Sequence, residues 1–154
     1  MPSVGDTMIN FELPNQDGDL VSLSDFRGKK VVLFAFPTAD KPTCTKHACA
    51  YRDTYEQFTE HNTVILGITS SPTIALKKWR AHHNFPYDLL SDSRGTVLDS
   101  LGIWANYVVN GVDLNYAKRS YWVIDEEGII REAQIDVDEV NSVHESLQFI
   151  QAVG

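Results

Sequence analysis

Cysteine is scarce in this chain, with only Cys44 and Cys49 among 154 residues. Two cysteines cannot build the framework of a disulfide-stapled secreted scaffold. The chain also lacks long apolar runs: none approaches the roughly 18 residues of a membrane span. Its opening stretch, MPSVGDTMINFELPNQDGD, has neither a basic segment nor an apolar one, so no secretory signal is visible. Together these absences predict a cytoplasmic protein in a reducing compartment, where a disulfide would be transient. Positive charge is in deficit, with 13 Lys and Arg against 21 Asp and Glu and a net charge of −8. That balance argues against nucleic acid or an anionic membrane as the main partner. Cys44, His47 and Cys49, with His82 and His83, do not match common zinc spacings, so no metal is expected. Repeats, low-complexity tracts and linkers are absent too. With 43% hydrophobic residues the chain can bury one core of ordinary size, and a single domain over residues 1–154 is expected.

What is present is an alternation of strand and helix signals. MINFELPNQDGDLVSL has two short runs around Asn15, Asp17 and Gly18, a hairpin pattern. SDFRG reads as a turn or short helix. VVLFAF, at 31–36, is a short Val- and Phe-rich run ending at Pro37, the mark of a buried strand. From Pro42 a helix is predicted that takes in Ala48, Ala50, Tyr51, Tyr55 and Phe58. TVILGIT, 63–69, is a second buried strand, and 73–84 is a helix with Pro72 at its start. YDLLSD suggests a short strand and SRGTVLDSLGI a short helix. SYWVIDEEGIIREAQI reads as a hairpin turning at Glu126-Glu127-Gly128. The last segment places Val140, Val143, Leu147 and Ile150 on one helical face. The order of elements predicts an α/β domain with a central mixed sheet and helices on both faces. In LGIWANYVVNGVDLNYA, 101–117, the aromatics could line a pocket or a dimer patch, but ordinary packing of Trp104 and Tyr107 is the expectation.

Cys44 falls in the first turn of the helix after Pro42, where backbone N–H groups lack partners and the dipole is positive. A thiol at such a position is biased toward thiolate, the nucleophilic form. A free cysteine of pKa about 8.5 is about 3% thiolate at pH 7, and lowering it to about 6 gives about 90%. That gain is only about 2 kcal/mol in barrier, and a lower pKa weakens the nucleophile. Ionisation alone therefore does not make a fast enzyme; positioning and charge stabilisation must supply the rest. Cys44 and Cys49 lie at i and i+5, about 8.6 Å apart between Cα atoms on an intact α-helix. A disulfide needs less than about 7 Å, so the two cannot bridge while that helix is whole.

The stretch FPTADKPTCTKHACAYRD, 36–53, resembles the active-site segment of the peroxiredoxins, and within them the Q-type or bacterioferritin comigratory protein branch. Pro37, Pro42, Cys44, Thr45, Ala48, Cys49, Tyr51, Arg52 and Asp53 occupy matching places. PNQDGDLVSLSDFRGKKVVL, FPYDLLSDSRG and RSYWVIDEEGIIR resemble further family segments, so the likeness covers nearly the whole chain. The resemblance implies a thioredoxin-like fold with an N-terminal β-hairpin and a cofactor-free thiol peroxidase acting on hydrogen peroxide and organic hydroperoxides. It implies that Cys44 attacks the peroxide and becomes a sulfenic acid. Arg119 would polarise the peroxide beside the thiolate and Pro37 would shield the site. Cys49 would resolve the sulfenic acid as an intramolecular disulfide after the first helical turns unwind. Thioredoxin or a similar dithiol would then reduce that bond, in a monomer or weak homodimer.

Three positions depart from the pattern. Lys41 stands where the family has a threonine, Thr43 where it has glycine, and His47 where Glu or Gln is common. Lys41 and His47 are both able, on sequence grounds, to bring positive charge to Cys44. Either Lys41, Thr43 or Thr45 compensates for the missing hydroxyl, or Lys41 points into solvent. The plainer readings make Cys49 a buried core residue and Arg119 a surface residue of a strand. A thioredoxin-like disulfide reductase is a rival, although such proteins use Cys-x-x-Cys. A redox-sensing or chaperone-like binding protein with slow turnover is a second.

Overall fold

The hairpin pattern near the N-terminus folds as expected in the computed structural model, which describes residues 1–153. β1 (Glu12–Pro14) pairs antiparallel with β2 (Leu20–Ser22), and a single 3-10 turn follows at Leu23–Phe26. The run VVLFAF becomes β3 (Lys30–Ala35), the centre of a five-stranded sheet. β3 is parallel to β4 (Thr63–Thr69), which is parallel to β5 (Asp88–Ser91). The β6–β7 pair, Trp104–Val109 with Val112–Ala117, stands apart as its own two-stranded sheet. β8 (Ser120–Ile124) returns antiparallel to β3, and β9 (Ile130–Ile135) closes the edge beside it. The order is β5-β4-β3-β8-β9, a mixed sheet.

β3 is apolar from Val31 onward because both of its faces are covered there. Val31, Leu33 and Ala35 face one core with Leu23, Leu98, Leu101, Ile103 and Trp122. Val32, Phe34 and Phe36 face the other, built from α1 (Pro42–Asp53), α2 (Tyr55–Thr59), α3 (Thr73–His83) and α5 (Asn141–Val153). The short α4 (Thr96–Ser100) lies on the first side with the N-terminal hairpin. Helices thus occur on both faces, four of them on one.

Three local expectations are corrected. The helix predicted through Phe58 stops at Asp53. At Thr54 the backbone leaves helical values (φ −109°, ψ 7°), and the Thr54 hydroxyl donates to the Ala50 carbonyl at 2.7 Å. Val140 lies before α5 and is exposed, while Val143, Leu147 and Ile150 are buried. Residues 104–117 form a hairpin whose turn, Asn110-Gly111, has φ of 51° and 77°, the twist that two-residue hairpin turns require. Trp104 does pack. A Cβ at Gly95 would lie 2.2 Å from its ring, and Gly95 itself has φ +73°, so glycine is needed there twice over. Tyr107 does not pack into the core: it is exposed and meets Tyr116 edge to face, with ring centroids 5.2 Å apart.

Candidate active site

The register of β3 against β8 builds the site. Ala35 at the end of β3 lies opposite Ser120 at the start of β8. The loop that leaves β3 toward α1 and the residue that precedes β8, Arg119, therefore emerge at the same end of these two central strands. The loop is tied down by β4 and the turn after it. The Thr69 hydroxyl donates to the Pro37 carbonyl at 3.3 Å, and the Ala39 N–H donates to Ser71 Oγ at 3.0 Å.

α1 begins at Pro42, a residue suited to the first helical position because its missing N–H would have no partner there. Lys41 is the N-cap and its side chain makes no capping bond. The N–H groups of Thr43 and Cys44 have no intrahelical acceptor and point out of the helix start. Cys44 is a free thiol with only 1% of its surface exposed. Its sulfur is buried, yet it is not isolated. Arg119 Nη2 donates to Cys44 Sγ at 3.3 Å and to Thr43 Oγ1 at 3.2 Å, and Nη1 meets His47 Nδ1 at 2.9 Å. Cys44, Arg119, Thr43 and His47 are thus brought together.

His47 supplies no positive charge, contrary to expectation. It is fully buried, with its ring centroid 4.8 Å from that of Phe34 and 5.6 Å from that of Tyr51. Burial, and secondarily the Arg119 charge, pull its pKa from 6.5 down to about 3, so the ring is neutral at physiological pH. A guanidinium can only donate; Nδ1 therefore accepts and the proton sits on Nε2, which is buried without a partner.

Lys41 is exposed and, among the described residues, its ammonium makes no ion pair or hydrogen bond. It lines an open cleft of about 660 Å³ with Pro37, Thr38, Ser71, Tyr107 and Tyr116. Thr45 is not at the sulfur: its hydroxyl accepts from Trp79 Nε1 at 3.2 Å. Cys49 is a free, half-buried thiol whose pKa burial pushes up. Two more ties hold α1: at its middle the Tyr87 hydroxyl donates to the Ala48 carbonyl, and in its last turn Arg52 Nη1 donates to the His83 carbonyl at 2.8 Å. Sequence reasoning missed Trp79 and Tyr87, which carry no local signal. His47 could have been placed, since i and i+3 share a helix face. Among the described residues no cluster of three His, Cys, Asp or Glu is arranged to hold a metal, and no helix is long and apolar enough to cross a membrane.

A thiol held against a guanidinium at a helix start on a thioredoxin-type sheet defines a class, the thiol-dependent peroxidases. Residues 4–133 match the AhpC/TSA family. A Coxiella burnetii peroxiredoxin named bcp is 37% identical over 127 residues, covering 82% of this chain and 84% of its own. The chloroplastic peroxiredoxin Q of Oryza sativa subsp. japonica is 34% identical over 129 residues, 84% of this chain and 57% of that protein. The crystal structure of peroxidoxin BcpB from Mycobacterium tuberculosis superposes with a TM-score of 0.91 at 31% identity, covering 100% of this chain and 99% of that one. The chain belongs to the AhpC/TSA family, in its peroxiredoxin Q/Bcp branch, and has the thioredoxin-like fold of that branch. It is a thiol peroxidase.

Proposed function

We propose that Cys44 is the residue that attacks the peroxide and that Arg119 is its electrostatic partner. The observation that carries this reading is the single Arg119 nitrogen placed 3.3 Å from Cys44 Sγ and 3.2 Å from the Thr43 hydroxyl. The Cys44 thiolate attacks the outer peroxide oxygen. An S–O bond forms as the O–O bond breaks, and the departing oxygen takes a proton to leave as water or an alcohol. Cys44 is left as sulfenic acid, two electrons more oxidised. Charge moves from sulfur to oxygen during the step, and Arg119, with the N–H groups of Thr43 and Cys44, is fixed before reaction where that charge passes. Losing one such donor costs about 10²–10³ in rate. Pro37, whose carbonyl is tied to Thr69 of β4, is assigned the shielding of the site from water. The Thr43 hydroxyl, bonded to the same guanidinium nitrogen, is the group next to the sulfur that stands in for the family threonine replaced by Lys41.

Cys49 resolves the sulfenic acid. Its sulfur attacks Cys44 Sγ, the hydroxyl leaves as water, and a disulfide forms between residues that the intact α1 holds about 8.6 Å apart. The first turns of α1 must unwind for this to occur. A thioredoxin-type dithiol returns two electrons and two protons, and the helix re-forms. The open cleft beside Pro37 and Lys41 has room for the organic part of an alkyl hydroperoxide. The chain does this as one domain, a monomer or weak homodimer, in a reducing compartment such as the cytoplasm.

Peroxide consumption with a thioredoxin system, followed by stopped flow, tests the assignment. Cys44→Ser is expected to abolish turnover, and Arg119→Met to lower it about 10²-fold or more. Cys49→Ser is expected to complete one oxidation and stall without an intramolecular disulfide. Retained turnover in Cys44→Ser would remove the proposal.

A further inference from the structure

We propose that Lys41 determines substrate preference: the cleft beside Pro37 takes an organic hydroperoxide that bears a carboxylate, and the Lys41 ammonium pairs with that carboxylate while the peroxide reaches Cys44. The inference rests on Cys44 being the reacting thiol and goes beyond it by stating which hydroperoxides the chain prefers.

Three observations converge on this lysine. Among the described residues it is the only charged one lining the cleft of about 660 Å³, whose other walls are proline, serine, threonine, asparagine and tyrosine. Its ammonium is exposed and has no carboxylate partner among the described residues, although the chain carries 21 Asp and Glu. Asp40, next to it in sequence, lines the neighbouring cleft with Trp79 and His82 instead. The third observation is electrostatic. With a net charge of −8 the surface at large repels anions, so an anionic substrate needs a local cation. Arg119 is engaged by Thr43, Cys44 and His47, which leaves Lys41 as the free cation of the cleft.

Spacing sets the form of the ligand. Lys41 is the N-cap of α1, and Cys44 follows three residues later. Side chains at that separation start roughly 5–6 Å apart, and the four-carbon lysine stem adds its own reach. The ammonium and the sulfur therefore grip groups several bonds apart, a carboxylate set across a ring or short chain from the peroxide. Tyr107 and Tyr116, packed edge to face, offer apolar surface for the connecting part, together with Pro37 and Pro72. The chemical step is that given above. The thiolate takes the outer oxygen, the O–O bond breaks, and the inner oxygen gains a proton and leaves as an alcohol that keeps its carboxylate.

The test compares cumene hydroperoxide with para-carboxycumene hydroperoxide, which share a skeleton and differ in charge. Rates of Cys44 oxidation at pH 7 are read for Lys41 and for Lys41→Gln, Lys41→Arg and Lys41→Glu, all in a Cys49→Ser background. The quantity compared is the ratio of the carboxylated to the neutral rate. An exposed ion pair is worth up to about fivefold, so Lys41→Gln is expected to lower the ratio about fivefold. Lys41→Arg is expected to keep it, and Lys41→Glu to fall below Lys41→Gln. The gap between lysine and glutamine should close between about 0.01 M and 1 M salt. An unchanged ratio in Lys41→Gln, a Lys41→Glu ratio equal to that of lysine, or a gap indifferent to salt would each overturn the proposal. Oxidation by neither hydroperoxide would remove the peroxidase reading instead. Lys41 is then judged by the alcohol product of the carboxylated probe, which should protect Cys44 from iodoacetamide at about fivefold lower concentration than in Lys41→Gln; equal protection would overturn the proposal on its own.

Discussion

Replacing Tyr87 by phenylalanine tests whether the unwinding of α1 governs disulfide formation. The Tyr87 ring is buried, stacked on Phe85 with centroids 5.7 Å apart and edge-on to Phe34 at 5.6 Å, so phenylalanine keeps the packing. Only the hydroxyl is lost, and with it the bond to the Ala48 carbonyl midway between Cys44 and Cys49. That carbonyl keeps its helical N–H partner, so no buried acceptor is orphaned. The net value of such a bond is about 1 kcal/mol, about fivefold in the equilibrium between wound and unwound α1. Where winding is fast compared with bond formation, the disulfide rate scales with the unwound fraction. Tyr87→Phe is therefore expected to form the Cys44–Cys49 disulfide about five times faster. Over-oxidation of Cys44 to sulfinic acid competes with resolution, so about fivefold more peroxide should be needed to inactivate half the protein. Reduced protein mixed with one equivalent of peroxide, quenched with N-ethylmaleimide and weighed by mass spectrometry reports both products. An unchanged disulfide rate, with Cys44 oxidised as fast as in wild type, would refute the view that this tie restrains the switch.

Lys41→Thr is expected to alter the rate with hydrogen peroxide by less than about threefold, because the ammonium is exposed and the Thr43 hydroxyl already stands beside Arg119; Thr43→Val, removing a charge-assisted bond, is expected to lower it about tenfold. Stopped-flow oxidation of the two variants separates these outcomes, and a strong gain in Lys41→Thr would contradict the role given to Thr43. Acid should weaken the fold through His47, whose pKa is about 3 in the folded chain against the ordinary 6.5 of an exposed imidazole in the unfolded one. Between those values the unfolded state takes up a proton that the folded state refuses. This group's contribution is therefore fully present above about pH 6.5 and falls as pH drops toward 3, by up to about 1.4 kcal/mol per pH unit. Urea midpoints across that window should decline less steeply in His47→Gln, and parallel curves would show that His47 is not held neutral by the fold.

The parts of the molecule written in short stretches of sequence were legible. The apolar run before Pro37, the proline that opens α1 and the position of Cys44 in its first turn are local patterns, and each became the element expected. The hairpin at 104–117 was hidden for a physical reason: most of its strand residues are exposed, so no buried face imposes alternation, and only Asn110-Gly111 marks it. The end of α1 turned on one hydroxyl, that of Thr54, competing with the helix. His47 was misjudged because its charge depends on enclosure by Phe34 and Tyr51, and spacing along a helix says nothing of what closes over it. The ties from Trp79 and Tyr87 reach 34 and 39 residues along the chain, beyond any local rule.

The site itself depends on a relation that no short motif contains. Ala35 pairs with Ser120, and that register puts Arg119 at the mouth of the loop leading to Cys44. Side chains alternate across a sheet, so a one-residue slip of β8 against β3 would exchange the two cores it serves and carry Arg119 away from the helix start. Such a slip is opposed on both sides at once: Tyr121 and Val123 are buried against the helices, Trp122 and Ile124 against the N-terminal hairpin side. The packing of four large residues of β8 therefore fixes where the guanidinium meets the sulfur.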